Sequence, residues 1–484
     1  MEHNKTSFNS VFRAISVLAS VRVVSLIVNL VRSKIIALLM GATGIGFFSI
    51  LLNLQSLSSS VFDLGVSKSS VRTIAQNSTP ENLPISVKTI NILLFIFAFI
   101  GSFLIFIFSD ELSYYLFNEV TKSLYIKIFA WSIFFNILFN GQQSILQGMR
   151  QIKQLAKSTV ISSLLGLVFS IVFIYYLSEF GIILSFVVVS LISFVVSKYY
   201  VYSLKLNQVK ISMNNFKKLS VDVIQLGTAM MLVSVMVSLS SFLLKMYITQ
   251  YGDMNDLGIF QAGFQILNGY FGIIFTSIAI DYFPRISSIS NDNAGIQREL
   301  NQQCLVILLL IFPLIQILVF FSEYIIAILY SSSFSATTGY ILAGSFGIIF
   351  FPIGQVLGMV LLAKNNSKVY LLMIFVIQLL FYFISVSLYS SFHIVGLGFA
   401  FSINMLLNMV IPFFVNYKLY KIGLSNKVFL LTLLIFLVTF FSYYVKEYVE
   451  RIDVKVFLIV LILTLTGAYS LKNIIKELNF KSKK

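Results

Sequence analysis

About fourteen apolar stretches follow one another along the chain, most of them about 20 residues long, the length a helix needs to cross the roughly 30 Å hydrocarbon core of a bilayer. The spans read at 11–39, 44–67, 87–108, 126–147, 158–177, 181–202, 221–247, 257–284, 302–321, 338–363, 369–389, 394–417, 427–445 and 454–472. Of 484 residues, 58% are hydrophobic and 11% charged, and no polar segment is long enough to fold as a separate soluble domain. In hydrocarbon every backbone polar group needs an internal partner, which leaves helices or closed barrels. Spans of this length select helices. The expected fold is an all-α polytopic membrane protein with about 14 transmembrane helices.

The net charge of +16 is a topology signal. With the N-terminus placed in the cytoplasm, 25 of the 34 Lys and Arg residues fall on the same side, from Lys5 and Arg13 to the tail lysines Lys472, Lys476, Lys481, Lys483 and Lys484. That bias is the positive-inside pattern, with both termini cytoplasmic. Basic loops on that face meet anionic membrane lipids, and no basic stripe on a soluble element points to nucleic acid. Cys304 is the only cysteine, and His3 and His393 are the only histidines, so neither disulfides nor a metal centre is expected. The first apolar segment is too long for a cleaved leader and is expected to be retained.

The two halves of the chain echo each other. Gly46-Phe47-Phe48-Ser49 matches Gly258-Ile259-Phe260-Gln261 at an offset of 212, with Lys34 and Lys245 a short way upstream. Arg150-Gln-Ile-Lys153 matches Asn365-Asn-Ser-Lys368, and Gly181 matches Gly396, both at 215. Spans 1–6 and 7–12 therefore read as two six-helix lobes in parallel orientation, related by a pseudo-two-fold axis along the membrane normal. The implied organisation is an N-terminal lobe over 1–202, a cytoplasmic linker over 203–220 and a C-terminal lobe over 221–417. Two extra helices and a basic tail follow over 418–484. Paired lobes suit alternating access.

Two polar faces recur at equivalent places. In span 2, Ser49, Asn53, Ser56, Ser60, Asp63 and Ser67 lie within about 80° of one another at helical spacing. In span 8, Gln261, Gln265, Asn268, Gly272 and Thr276 do the same. Such faces either glue helices together or line a hydrated cavity. Arg22 falls near mid-membrane, where a charge costs about 2.5–3.5 kcal/mol to insert, and Asn29 shares its face two turns on. Arg22 either contacts a substrate or pairs with Asp63. Arg32, Lys34 and Lys245 stand towards the outer ends of spans 1 and 7, where they either snorkel or face a cavity and attract an anion. Asp63 is a candidate for coupling to H+ or Na+, or neutralises Arg22.

No GxxxxGK[ST] loop, GxSxG elbow or His/Cys/carboxylate cluster is present, so neither ATP-driven transport by this chain nor an enzyme is expected, and no cofactor.

Two six-helix lobes plus two helices, without an ATPase, resemble the multidrug/oligosaccharidyl-lipid/polysaccharide exporter superfamily. Within it, residues 251–368 resemble the O-antigen translocase (Wzx-type) flippases. The residues that carry this are Tyr251-Gly252, Gly258-Ile259-Phe260-Gln261-Ala262, Asp281-Tyr282-Phe283-Pro284-Arg285-Ile286-Ser287, Asp292-Asn293, Asn301-Gln302-Gln303, Pro313, Leu329-Tyr330-Ser331 with Phe334, and Leu361-Leu362-Ala363-Lys364. The resemblance implies a flippase that moves an undecaprenyl-pyrophosphate-linked oligosaccharide across the bacterial cytoplasmic membrane. It also implies a cation-rich cavity, consistent with Arg22 and Lys245, and a polysaccharide polymerase and chain-length regulator as candidate partners. Arg285 would contact a head group, cap the topology or pair with Asp281. A drug–cation antiporter or lipid II flippase of the same superfamily is the alternative, and a non-transporting assembly protein a more distant one.

Overall fold

The computed structural model describes the backbone of residues 2–77, 79–206, 209 and 211–482, and side chains over 20–77, 79–206, 209, 211–228, 230–272 and 282–476. Lys5, Arg13, Lys210, Thr276, Asp281, Lys481, Lys483 and Lys484 lie outside the residues whose side chains are described. The described chain is helical and holds no strand. Ten of its helices are long and apolar enough to cross a membrane.

The number is ten because three helices each join two expected spans through a break and one further apolar stretch, over 254–288, is divided by a π turn; a fourth break, at Phe321, joins no second span. The first broken helix, α1 (Glu2–Phe62), turns at Gly41, whose φ of 65° suits glycine and few other residues. After the short α2 (Val66–Gln76), α3 (Asn82–Ile107), short α4 (Ser109–Phe117) and α5 (Ser123–Gly148) comes α6 (Ile152–Tyr202), broken at Ser178. Straight, α6 would measure about 76 Å at 1.5 Å per residue. It folds back instead, because the Gln143 Nε2 of α5 reaches both ends of it, donating to Ser158 Oγ at 3.1 Å and Ser197 Oγ at 2.9 Å. The third helix that joins two spans is α12.

A compact unit of residues Met1–Gly258 contains these helices and α7 (Met213–Tyr251), which packs on α1 and α2. The packing division thus falls one helix later than the 203–220 linker read from the sequence. Repetition fixes which helices are copies, whereas packing follows where each copy buries its apolar face, and the two need not coincide.

The second unit, Ile259–Lys484, takes in most of α8 (Met254–Phe264), a π turn over Gln265–Tyr270, and α9 (Phe271–Ser288). It continues with α10 (Asn293–Leu329), α11 (Thr337–Ala363), α12 (Ser367–Tyr420), α13 (Asn426–Tyr448) and α14 (Ile452–Ser482). Breaking at His393, α12 also doubles back: Asn366 Nδ2, just ahead of it, donates to the hydroxyl of its last residue, Tyr420, at 3.1 Å. The helices α13 and α14 dock on α10 around the apolar cluster Phe320, Val445 and Ile462. The amide of fully buried Gln316 ties α10 to α13, donating to Thr439 Oγ1 at 3.1 Å and accepting from Ser442 Oγ at 2.7 Å.

The duplication is written in the backbone. The left-handed residues Arg150 (φ 55°) and Asn365 (φ 56°) stand 215 positions apart, as do the breaks at Ser178 and His393, both with φ 50°. Each hairpin closes on a glycine: a Cβ on Gly181 would lie 2.1 Å from Phe173 O, and a Cβ on Gly396 2.0 Å from Leu388 O. Either contact forces backbone to move, at a cost typical of overpacking, about 1–3 kcal/mol. Gly396→Ala should therefore lower the thermal midpoint of the purified protein by several degrees, while alanine at Gly467, inside α14 with nothing within 4 Å, should not lower it, since alanine suits a helix better than glycine. Equal midpoints would contradict this account of the corner.

Candidate functional site

The polar face of α1 beyond Gly41 does two different things along its length. Its first turns are joined to α7, which runs antiparallel to it. Lys245 Nζ donates to Ser49 O at 3.2 Å, Asn53 Nδ2 donates to Ser241 Oγ at 2.8 Å, and Ser56 and Ser238 hydroxyls lie 3.4 Å apart. Here the stripe is interhelical glue. Lys245 is only 5% exposed, and that carbonyl is its one partner among the described residues. The Asn53 Oδ1 is buried and unpaired.

Further along, the helices part around a cavity of about 740 Å³. Ser56 and Ser60 of α1, Asp63 just beyond it, and Ser67 and Lys68 of α2 form one wall. A second comes from α5, where Asn136, Asn140, Ser144 and Gln147 recur at one helical face, and Ser234 with Met230 and Met231 of α7 supplies a third. Gln55 and Ser59 brace the α1 wall: Gln55 Nε2 donates to Ser190 Oγ at 3.1 Å and Ser59 Oγ to Asn136 Oδ1 at 2.9 Å. The Asn140 Nδ2 donates to the same Asn136 oxygen at 3.2 Å.

The carboxylate and the ammonium of this cavity come from one tight turn. Leu64 (φ 49°) and Gly65 (φ 70°) are both left-handed, and a Cβ on Gly65 would lie 2.0 Å from Gly227 O, so the turn sits directly on α7. Asp63, at the head of that turn, caps α2: it accepts from Ser67 N at 3.0 Å and Ser67 Oγ at 3.1 Å. A carboxylate there also meets the positive end of the helix dipole. Lys68 donates to Ser234 Oγ.

The sequence-derived ion pair between Arg22 and Asp63 is absent among the described residues. Ser67, four residues on, takes the carboxylate before any partner from α1 can. Arg22 and Asn29 are exposed on one face of α1, Arg32 is half-buried with its Nε unpaired, and Lys34 is half-buried. None of these four, nor Lys245, lines the cavity. In the second unit Gln261, Gln265 and Asn268 are half-buried, and Gln261 Oε1 is buried without a partner. A π turn over Gln265–Tyr270 interrupts the helical period on which their stripe was counted, and Thr276 lies outside the described side chains. Sequence reasoning missed Lys68, assigned to topology alone, and the Asn136–Gln147 face, whose four-residue spacing was a legible signal.

Among the residues that carried the family resemblance, Arg285, Asn293, Asn301, Gln303 and Lys364 tie segments of the second unit together. Arg285 binds Glu299 Oε2 at 2.6 Å and Gln303 Oε1 at 3.0 Å. Lys364 is held by Ser290 O and Asn293 Oδ1, and its ammonium sits over the Tyr420 ring at 5.4 Å. Asn301 donates to Gly423 O at 3.1 Å and accepts from Ser425 N at 2.6 Å. Replacing Lys364 with Met should leave these acceptors unpaired and lower the thermal midpoint. A variant as stable as the parent would show that the tie contributes nothing.

Long duplicated apolar helices, with a polar cavity inside the first unit, define a multi-pass membrane protein of transporter architecture. The chain belongs to a polysaccharide biosynthesis protein family, whose model matches residues 35–338. A Shigella flexneri protein described as "Putative O-antigen transporter" is 26% identical over 305 residues, 61% of this chain and 71% of that protein. Among solved structures, the lipid II flippase MurJ in an inward closed conformation superposes with a TM-score of 0.74 at 18% identity, covering 95% of this chain and 99% of that one. An inward-facing multidrug resistance MATE family transporter of the MOP superfamily gives 0.67 at 14% identity, over 85% and 98%. These establish the exporter fold expected from the sequence.

Proposed function

We propose that this chain is a non-enzymatic flippase, moving an undecaprenyl-pyrophosphate-linked oligosaccharide, an O-antigen or related polysaccharide repeat unit, across the bacterial cytoplasmic membrane by alternating access. The observation that carries the reading is the polar cavity of the first unit, walled by amides, hydroxyls, one carboxylate and one ammonium among helices long and apolar enough to cross a membrane. Membership of the polysaccharide family and the name of the Shigella relative support the same substrate class. In this reading the two halves of α1, α6 and α12 each cross the membrane, and α8 with α9 crosses once, giving fourteen crossings with both termini cytoplasmic. The lobes over 1–202 and 221–417, related by an axis along the membrane normal, rock against each other.

Arg22, Arg32, Lys34 and Lys245 are proposed to meet the pyrophosphate as it passes, and Asn29, Asn53, Gln261, Gln265 and Asn268 the sugar or its linkage. Asp63 couples the cycle to H+ or Na+. The polymerase and chain-length regulator of the pathway take up the product, and membrane lipids surround the whole.

Arg22 tests this most directly, because it is exposed and bonded to no carboxylate among the described residues, so its loss strands no buried charge. Arg22→Ala should cut export of long surface glycan by about 10- to 100-fold, the loss of one charged hydrogen bond worth about 1.5–3 kcal/mol, at unchanged protein level. Arg22→Lys should keep part of the activity. Unchanged glycan with raised sensitivity to cationic dyes would instead favour a drug antiporter. Topology is checked separately: reporter fusions at the C-terminus should read cytoplasmic, and those near Glu179 and Glu323 external. A periplasmic C-terminus would break the fourteen-crossing count.

A further inference from the structure

We infer that the cavity of the first unit is a subsite for the uncharged sugar portion of the substrate, read by the amide face of α5, and is no site for its pyrophosphate. The inference rests on the flippase reading above and gives that cavity one part of the substrate.

Charge argues first. A pyrophosphate carries several negative charges and is met in proteins by clustered cations, above all by forked arginine contacts. This cavity has one ammonium, Lys68, already bonded to Ser234, and one carboxylate, Asp63, to balance it. Its formal charge is zero, and an acidic head group would meet no surplus of positive charge.

The hydrogen-bonding atoms left over argue second. The Asn136 oxygen is taken by Ser59 and Asn140, which leaves Asn136 Nδ2 without a partner among the described residues. The oxygen of Asn140 and both ends of the Gln147 amide are likewise uncommitted, and they follow one another along one face of α5. The wall thus offers donors and acceptors in alternation, which suits hydroxyls and acetamido groups, since each of these both donates and accepts. Leu52, Val71, Met230 and Met231 give an apolar surface for the C–H faces of sugar rings. A volume of about 740 Å³ lies within the range of roughly 300–1,000 Å³ of sites that enclose small ligands, with room for more than one ring.

The duplication argues third, and most strongly. The fold repeats at an offset of 215 through α5 and α11, yet the polarity does not. Asn136, Asn140, Ser144 and Gln147 stand where the second unit has Phe351, Gln355, Met359 and Leu362. An apolar residue fills all but one of these positions in the second copy, so the architecture alone does not demand amides there. What the first unit has added is a polar lining; part of it braces the walls, and the donors and acceptors that serve no contact of the fold, on Asn136, Asn140 and Gln147, are there for a ligand.

The test uses the purified full-length chain in detergent and two probes. One is undecaprenyl pyrophosphate without sugar, and the other is the lipid-linked glycan extracted from a host lacking this chain. The wild-type chain should bind the glycosylated probe about tenfold or more tighter, as several neutral hydrogen bonds imply. Gln147→Leu and Asn140→Leu should each shrink that preference, and the double variant should abolish it. Binding of the bare pyrophosphate lipid should stay as in the wild type, which also reports that the variants are folded. The Gln147 side chain makes no hydrogen bond among the described residues, so its variant disturbs no internal contact of that kind. Equal wild-type affinity for the two probes would overturn the subsite while leaving the flippase reading standing. So would variants that bind the glycosylated probe as the wild type does, or that lose both probes in proportion. Binding of neither probe by the wild type would overturn both.

Discussion

Deleting the gene for this chain in its host is expected to remove long surface glycan almost entirely and to leave lipid-linked repeat units trapped on the cytoplasmic leaflet. A sugar-bearing pyrophosphate lipid crosses a bilayer slowly unaided, because its polar head must be stripped of water in a hydrocarbon core where each unsatisfied polar group costs several kcal/mol. In the proposed function, a polar cavity would remove that penalty by replacing water with amides and hydroxyls. The measurement is extraction of lipid-linked intermediates alongside a surface-glycan profile. Accumulated intermediates sensitive only to enzymes acting from the cytoplasmic side would support flipping as the lost step. Loss of glycan without any accumulated intermediate would place the chain upstream, in assembly of the repeat unit. Intact glycan would remove the flippase reading altogether.

How much of this was visible in the sequence depended on whether a feature repeats. The hairpins did: the gaps read between 177 and 181 and between 389 and 394 contain the breaks at Ser178 and His393, because a polar or glycine-flanked gap between two apolar runs has one physical meaning in a membrane. The α1 stripe was legible at helical spacing, but its split into a glued part and an open part was not. That split depends on where α7 approaches, and close approach is set by Gly65 and Gly227 rather than by the polar residues themselves. The α5 face was passed over because it has no counterpart in the second copy, and recurrence had been the guide. Lys68 was hidden by its assignment to the basic side of the membrane, since a lysine placed there by the charge bias can also turn inward. The Arg22–Asp63 pair failed for a local reason: an acid four residues ahead of a helical Ser is satisfied by that Ser and by the helix end. The count through Gln261, Gln265, Asn268 and Gly272 crosses a π turn, which changes the helical period on which it relied.

Asp63→Asn is expected to abolish coupled export while leaving the protein folded and abundant. Asp63 has two separable roles, as cap of α2 and as the carboxylate of the cavity. Asn retains an oxygen for Ser67 N and Ser67 Oγ, and Asn and Asp serve about equally well as caps, so the turn at Leu64–Gly65 should survive. Asp63→Ala loses the cap as well, at about 1 kcal/mol, and should lower the thermal midpoint where Asn does not. If Asp63 is the coupling group, collapsing the proton or sodium gradient should halt export in the wild type and have no further effect on the residual export of the Asp63→Asn variant. An Asp63→Asn chain that exports at the wild-type rate, and still stops when the gradient collapses, would reduce Asp63 to a helix cap and move the search for the coupling group to the rest of the bundle. A variant that fails only as Ala would say the same by another route, because geometry would then account for the whole effect. Charge and cap differ by a single atom at this position, which is why the Asn substitution separates them and a deletion of the side chain does not.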